Sequence, residues 1–528
     1  MLICATTATD RRTVSASLAH FRICFIGAQP PRSSPSIPSK QVNKSIMNKF
    51  LVRGLGFYND AYDLFVMNVA NVVLTEQYGS DTYSSTMKSW VSAGAIIGAI
   101  IGQLAFGFLG DVFGRKVNMI FTCCLLILGG VLCAAAYAGD GRSTLWFLVA
   151  ARLILGIGIG GEYPLAASTT AEDSTDSADR NTAVAKTFAL QGVGQVTAAI
   201  MGNLLVQAFA DGKPGENSGA RLEAVWRILF ALGVIPAVVV CYFRFTAEET
   251  AAYKNAHQRG QLAQATTQQQ ARLGFILRHY GVSLLGTAGT WFLFDIVYYS
   301  QNLFSASILK VVGLSNPSLQ QVTTEVAFVS LMALPGYFVA VYAINRLGRK
   351  KMQLQGFFFM TVLCLVMAIF WDDLRDQSIL FIILYGLTLF FSNFGPNMST
   401  FVLPTEMFPT PIRSTCHGIS AAAGKAGAAI GSFGFSIWVE NESYGYAGAF
   451  YTFAGIAAVS IPLTWFCVFD NTKGIDEMDA DFYHRLNGAD DFTRESFNSL
   501  AKISDAGSAN MNTTPGVYKQ VSTPTTLV

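Results

Sequence analysis

Apolar stretches long enough to cross a bilayer follow one another through most of this 528-residue chain, and no other feature restricts its fold as strongly. A spanning helix needs about 20 predominantly apolar residues. Twelve such runs are legible, near 51–75, 89–110, 117–138, 145–170, 183–210, 225–245, 281–307, 322–346, 353–371, 379–404, 415–439 and 446–470. Composition agrees: 52% of residues are hydrophobic and 13% charged, against about a quarter charged in soluble proteins. The expected fold is an all-α polytopic membrane protein with the lipid bilayer as its solvent.

The spans fall into two groups. A polar, Gln-rich interruption at 246–280 ("QLAQATTQQQAR") divides them six and six. The expected organisation is therefore a six-helix half at 47–245, a cytoplasmic central loop at 246–280, and a second six-helix half at 281–470. The Ser, Thr, Asp and Asn of 471–528 predict a disordered cytoplasmic tail. Residues 1–46 are rich in Arg, Ser and Pro and poor in acids. They read as a disordered extension with the composition of a transit peptide, or as sequence preceding a true start at Met47.

Cations set the orientation. Arg115, Lys116, Arg180, Lys186, Arg346, Arg349, Lys350, Lys351 and Arg413 gather on one side of the predicted spans. Glu76, Asp81, Asp372, Asp373, Asp376, Glu440 and Glu442 gather on the other. The positive-inside rule then places both termini in the cytoplasm. A net charge of +2 with no basic tract gives nucleic acid no footing. Nine cysteines show neither metal nor disulfide spacing, and most lie inside spans as small apolar packing residues. No nucleophile–base pair, metal-ligand cluster or nucleotide loop is visible, so neither an enzyme nor a cofactor is expected.

The halves share a loop signature. "GFLGDVFGRKV" stands between spans 2 and 3, and "INRLGRKKM" between spans 8 and 9. Repeated six-span halves are a transporter trait, with substrate held near the midplane where they meet. "GDVFGRK", the run "RLILGIGIGG" and the six-plus-six arrangement resemble the major facilitator superfamily over about residues 48–475. The resemblance implies a gating role for Asp111, Arg115 and Lys116. Gly156, Gly158, Gly160 and Gly161 read first as close helix packing.

Ionisable groups inside a membrane are functional candidates by default. Here they are Asp60 and Asp63 in span 1, Arg152 and Glu162 in span 4, Asp295 in span 7 and Lys425 in span 11. Uncharged donors accompany them: Tyr163, Gln191, Trp291, Tyr299, Asn393 and Asn397. Each alone is as easily packing or interfacial anchoring. Together they converge if the halves face one another.

Indole, phenol and amide groups donate to oxygen, which suits an oxyanion. A carboxylate among them repels a fully ionised anion and tolerates one only with a proton between them. Phosphate keeps a P–OH that Asp295 can accept, whereas sulfate has none and would leave a buried group unpaired.

The stretches "TWFLFDIVYYSQNLF", "GGEYPLAAS", "NFGPNMSTFVLPTEMFPTPIRSTCHGISAAAGK" and "FYNDAYDLF" are similar to the plant and fungal inorganic phosphate:proton symporters. The resemblance implies phosphate contacts at Tyr163, Gln191, Trp291, Asp295, Tyr299 and a span 10 asparagine, Asn397 being favoured over Asn393, with Lys425 beside them. It implies proton coupling at Asp60, Asp63, Glu162 and Asp295, no cofactor, and residence in the plasma membrane. Two positions depart from the pattern: Glu162 is one methylene longer than the usual aspartate, and Pro411 replaces a larger residue. Proton-coupled organophosphate (glycerophosphodiester) transport, sodium coupling, and a phosphate-sensing receptor on the same fold are the alternatives.

Overall fold

Lipid offers the backbone no hydrogen-bond partner, so each apolar run closes its own ladder as a helix. The structure is a computed structural model that describes residues 39–173, 177–210, 217–246, 249–255, 272–312, 318–441, 443–470 and 473–486. It divides into two compact units, Met1–Lys49 and Phe50–Val528, and the second carries the bundle. Its long helices are α1 (Ser39–Thr82), α2 (Ser85–Phe113), α3 (Arg115–Ala134), α4 (Gly141–Glu172), α5 (Ser177–Phe209), α6 (Gly219–Thr246), α7 (Arg272–Leu303), α8 (Leu319–Leu347) and α9 (Arg349–Ile369). They continue with α10 (Ser378–Met407), α11 (Thr410–Glu440), α12 (Gly445–Cys467) and the shorter α13 (Ile475–Leu486).

Ten of the first twelve are long and apolar enough to span a membrane by length and composition. The two that fall short are α1 and α11, and the reason is their polar content. They carry Asn59, Asp60, Asp63, Asn68 and Asn71, and Ser414, His417, Ser420, Lys425 and Ser432, all buried. Their polar residues face protein, while Phe121, Val238, Phe338, Phe358 and Trp465 cover the outside.

Each half packs as a bundle, and the halves meet along two main seams, α2 against α11 and α5 against α8. The glycine run of α4 works on two sides at once. Gly156 and Gly160 lie against the backbone of Ala95 and Ala99 in α2, and Gly158 lies against Thr122 and Leu126 in α3. A methyl group on Gly158 would stand 2.9 Å from the Thr122 carbonyl oxygen. The small residues are thus what lets α4 sit between two neighbours.

Two expected boundaries change. Helix α7 begins at Arg272 rather than 281, so it takes in the end of the expected central loop. The loop's start, residues 249–255, is ordered against the α2–α3 junction: Glu249 accepts the Lys116 amide at 3.1 Å, and the Tyr253 hydroxyl donates to the Val112 carbonyl at 3.0 Å. The disorder expected from 471 gives way to α13. There Phe482 is buried against Phe275, with ring centroids 5.6 Å apart, and Asp479 accepts the first amide of α11, Thr410, at 2.7 Å. Residues 1–38, 256–271 and 487–528 lie outside the described residues, and with them most of the expected extension, loop and tail.

A carboxylate on a helix N-terminus contributes about 1–2 kcal/mol. Asp479→Ala should therefore speed amide hydrogen exchange across α13 by roughly 5–30-fold, with α12 unchanged. Equal exchange in both proteins would mean that Phe482 alone holds the helix.

Candidate functional site

Helices α4 and α5 of the first half and α7, α8, α10 and α11 of the second lean polar residues into the space between the halves. Midway along α10, the Gly395–Pro396 step cannot continue an α ladder, since proline has no N–H. Residues Asn393–Asn397 form a π turn instead, with Gly395 at φ −129°. The wider turn aims two asparagines inward. Asn393 donates to the Ala333 carbonyl at 3.1 Å and is spent on the backbone. Asn397 donates at 2.8 Å both to the Tyr337 hydroxyl and to Asn393 Oδ1.

From Asn397 a chain of polar groups crosses the midline. Gln191 Nε2 donates to the Tyr337 hydroxyl at 3.2 Å, and the Tyr163 hydroxyl donates to Gln191 Oε1 at 3.2 Å. Beside it stands the charged pair, Lys425 Nζ donating to Asp295 Oδ2 at 3.0 Å. The ammonium also lies 4.5 Å from the Tyr299 ring centroid and 5.0 Å from that of Tyr163. Trp291, one helical turn before Asp295, packs its ring 6.5 Å from Tyr163. None of Tyr163, Gln191, Trp291, Asp295, Tyr299, Asn397 and Lys425 is more than 5% exposed. All seven are therefore gathered in one dry place. Such a set can hold an oxyanion: neutral donors surround one cation whose present partner is a carboxylate.

Asp63 and Glu162 make their contacts outside that place, and Asp60 lies buried between them and the site. Glu162 turns away from its neighbour Tyr163 and pairs with Arg244 of α6. Asp63 accepts from Asn59 at 3.0 Å. They form a second, buried group inside the first half, beside the site rather than in it.

Both ends of the site are closed. Toward the basic face, where α2, α4 and α10 end, Phe57, Phe188 and Phe401 form an aromatic plug, the last two stacked with centroids 4.3 Å apart. His417 packs edge-on to Trp291 and Phe401. Beyond the plug lies an ion network with internal symmetry. Gly114 and Gly348, at φ 92° and 84°, turn the chain in the left-handed region that glycine tolerates. Each is followed by a buried arginine. Arg115 pairs with Glu172 at 2.7 Å, and Arg349 donates Nε to Glu406 at 2.7 Å. Each half then reaches across: Arg413 lies 3.8 Å from Glu172, Asn181 donates to Glu406 at 2.9 Å, and Asp111 accepts from the amide and hydroxyl of Thr415 at 2.8 and 2.7 Å. Asp111 and Arg115 thus lie in the closure. Among described contacts, Lys116 enters it through its backbone amide.

At the opposite face, Gln195 donates to Asn302 at 2.5 Å, Asn68 accepts the Ala306 amide at 3.1 Å, and Asn203 accepts from Thr323 and Thr324 at 3.0 and 3.1 Å. The conformation is occluded.

Several of these residues were not legible in the sequence. Arg244 falls at the apparent end of span 6, where a cation reads as an interfacial anchor. Tyr337 is one tyrosine in an apolar run, Phe57, Phe188 and Phe401 look like lipid-facing residues, and Glu172 and Glu406 look like loop acids. The only signal was position: Glu172 and Glu406 close matching spans of the two halves.

The sequence profile described as sugar (and other) transporter matches residues 53–274 and 283–482. The chain is 36% identical over 478 residues to a probable inorganic phosphate transporter 1-6 of Arabidopsis thaliana, covering 81% of this chain and 92% of that one. It is 36% identical over 442 residues to the low affinity inorganic phosphate transporter 4 of Petunia hybrida, covering 74% and 83%. In shape it is similar to the proton:xylose symporter XylE bound to 6-bromo-6-deoxy-D-glucose, with a TM-score of 0.69 at 19% identity, covering 83% of this chain and 99% of the other. A partially occluded inward open form of the xylose transporter XylE from E. coli gives 0.66 at 18% identity, covering 81% and 99%.

Proposed function

Since the chain belongs to the sugar (and other) transporter family and, within it, to the inorganic phosphate transporters, we propose that it is a secondary active transporter that takes up inorganic phosphate with protons by alternating access. The observation that carries the reading is the Asp295–Lys425 pair set among neutral donors between the halves. As it stands the pair is neutral, and Lys425 is occupied. A proton on Asp295 frees the ammonium for an incoming phosphate oxygen. The phosphate P–OH can equally donate to the Asp295 carboxylate while Lys425 takes another oxygen. Either way anion and proton enter together, and an anion without a proton meets an uncompensated carboxylate.

Around that charge exchange, Tyr163, Gln191, Trp291, Tyr299 and Asn397 supply O–H and N–H donors to the remaining oxygens. Asn397 fits this role better than Asn393, whose amide is held by the Ala333 carbonyl. The occluded conformation corresponds to the middle of the cycle, and opening either closure admits one compartment. Asp60, Asp63 and Glu162 serve proton coupling from within the first half. Asp111 and Arg115 serve the closure of the basic face. The positive-inside rule makes that face, and both termini, cytoplasmic, and the likeness to the phosphate symporters supports residence in the plasma membrane. One net positive charge carried inward through 100 mV gains about 2.3 kcal/mol, so scavenging from dilute phosphate requires more than one proton per cycle.

Radiolabelled phosphate uptake into proteoliposomes, with and without an inward proton gradient, tests the reading. Gradient-driven uptake that unlabelled glycerophosphodiesters do not compete away is expected; competition by them would move the substrate to organophosphates. Gln191→Ala removes one donor to the anion, worth about 1–1.5 kcal/mol, so apparent affinity should fall roughly 5–15-fold with maximal rate little changed. An unchanged affinity would reduce Gln191 to a brace between Tyr163 and Tyr337.

A further inference from the structure

The polar chain that reaches Tyr337 from the anion site continues beyond it. The hydroxyl oxygens of Tyr337 in α8 and Tyr298 in α7 lie 3.1 Å apart. The Tyr298 hydroxyl donates to Gln195 Oε1 at 3.3 Å, and Gln195 Nε2 donates to Asn302 in the closure opposite the basic face. Gln191 and Gln195 stand one turn apart on α5. The Tyr337 ring lies against Gly192 between them, where a methyl group would stand 2.5 Å from Tyr337 Cδ2. Tyr337 is 0% exposed and Tyr298 1%.

Counting donors fixes the direction of this chain. A phenol hydroxyl has one O–H and two lone pairs. Both lone pairs of Tyr337 are taken, by Gln191 Nε2 at 3.2 Å and by Asn397 Nδ2 at 2.8 Å. Its O–H therefore points to Tyr298, whose own O–H goes on to Gln195. The opposite sense would set three donors on one oxygen and take the Tyr298 proton away from Gln195 Oε1. The chain crosses between the halves three times, at Gln191–Tyr337, Gln195–Tyr298 and Gln195–Asn302.

The amides held by Tyr337 are the ones that the phosphate reading assigns to the anion. Asn397 donates to both Tyr337 and Asn393, so it serves an anion only by letting one of them go. In a dry site each donor needs a partner, because a buried amide without one costs more than the bond itself contributes. A carrier for net uptake also closes twice per cycle, once around its cargo and once without it on the way back. Phosphate supplies the partner, and the bridge between the halves, on the first closure. The protein must supply both on the second.

We propose that the Tyr337 hydroxyl is the internal stand-in for the anion. Held by Tyr298 and Gln195, it satisfies Gln191 and Asn397 and joins the halves when no phosphate lies between them. That makes the chain a net importer rather than an obligate exchanger. The assignment rests on the phosphate-uptake reading above, and it makes Tyr337 and Tyr298 positioning residues.

Proteoliposomes holding the full chain separate the two closures. Gradient-driven accumulation into phosphate-free vesicles needs the unloaded return. Exchange of labelled for unlabelled phosphate, at equal pH on both sides, does not. Tyr337→Phe strands two amides in the closed unloaded carrier, so accumulation should fall roughly thirtyfold or more, while exchange stays within about threefold. Phosphate binding to the purified chain should weaken by no more than about threefold, since the lost hydroxyl competes for the same donors. A greater loss would make Tyr337 a donor to the anion and overturns the stand-in role, as does an equal fall in accumulation and exchange. Tyr298→Phe breaks the chain one step further out and carries the test if Tyr337→Phe does not fold. It should lower accumulation roughly fivefold or more and again spare exchange; unaltered accumulation overturns the relay. The unaltered chain tests the transport reading by itself. If it neither accumulates nor exchanges phosphate, that reading fails and the stand-in with it, whereas equal losses in the variants of a working transporter sink the stand-in alone.

Discussion

An Asp295→Asn chain should lose proton-driven phosphate accumulation by at least about a hundredfold. Asparagine keeps the shape of the side chain, but it accepts no proton and leaves Lys425 buried without its partner at 3.0 Å. Breaking a buried ion pair at one end costs about 3–5 kcal/mol, which corresponds to roughly two to four orders of magnitude. Part of that cost falls on folding, so the decisive comparison is with Asp295→Asn/Lys425→Gln, in which no buried charge is stranded. If the pair only holds α7 against α11, the neutral double variant regains transport. If it handles the anion and its proton, the double variant folds as stably as the unaltered chain and still does not accumulate phosphate. Near-normal gradient-driven uptake by folded Asp295→Asn protein would end the role assigned to this residue.

Glu172→Ala should open the basic face. This one carboxylate holds Arg115 at 2.7 Å, Arg413 at 3.8 Å and the Thr250 hydroxyl at 2.6 Å, so it ties α3, α11 and the start of the central loop to the end of α4. Its loss leaves Arg115 with Asp111 at 3.1 Å and takes the ion pair from Arg413 beside it, a penalty of about 3–5 kcal/mol that is relieved when the halves part and water enters. A shift of about 5.5 kcal/mol takes a two-state equilibrium from 1:99 to 99:1, so the closed basic face should become a minor conformation. A cysteine placed at Phe401 in the plug, in a chain with its other reactive cysteines removed, reports this through its rate of labelling by a membrane-impermeant thiol reagent from that side. The rate should rise at least about tenfold with Glu172→Ala. An unchanged rate would mean that Asp111, Thr415 and the aromatic plug keep the face shut without the network.

The candidate site was readable because membrane chemistry is strict. A carboxylate or lysine in the middle of a span has few reasons to be there, so Asp295 and Lys425 stood out from the letters of α7 and α11, and the structure puts them in contact. The same logic marked Glu162 but not its partner. Arg244 sits where a helix leaves the membrane, and cations are common there for reasons of lipid contact alone; only the packing of α6 on α3, which brings Arg244 to Glu162 of α4, shows it turned inward. Tyr337 and the plug phenylalanines were invisible for the matching reason, since an aromatic residue in a span reads the same whether it faces lipid, packing or substrate. The start of the tail, Ile475–Leu486, was misread because composition averages over a segment: it contains Met478 and Phe482, whose docking depends on the surface formed by α7 and α11.

Spans, repeat, orientation and the identity of the buried charges are local properties, decided by lengths of apolar sequence and by the cost of a charge in lipid. Partnership is not local. Which acid meets which base and which asparagine faces the site are decided where helices cross within a half, and which residues close the site is decided where the two halves touch. Glu172 and Arg413, or Asn181 and Glu406, are neighbours only because the two bundles are pressed together, and that pressing is the property the tertiary structure adds.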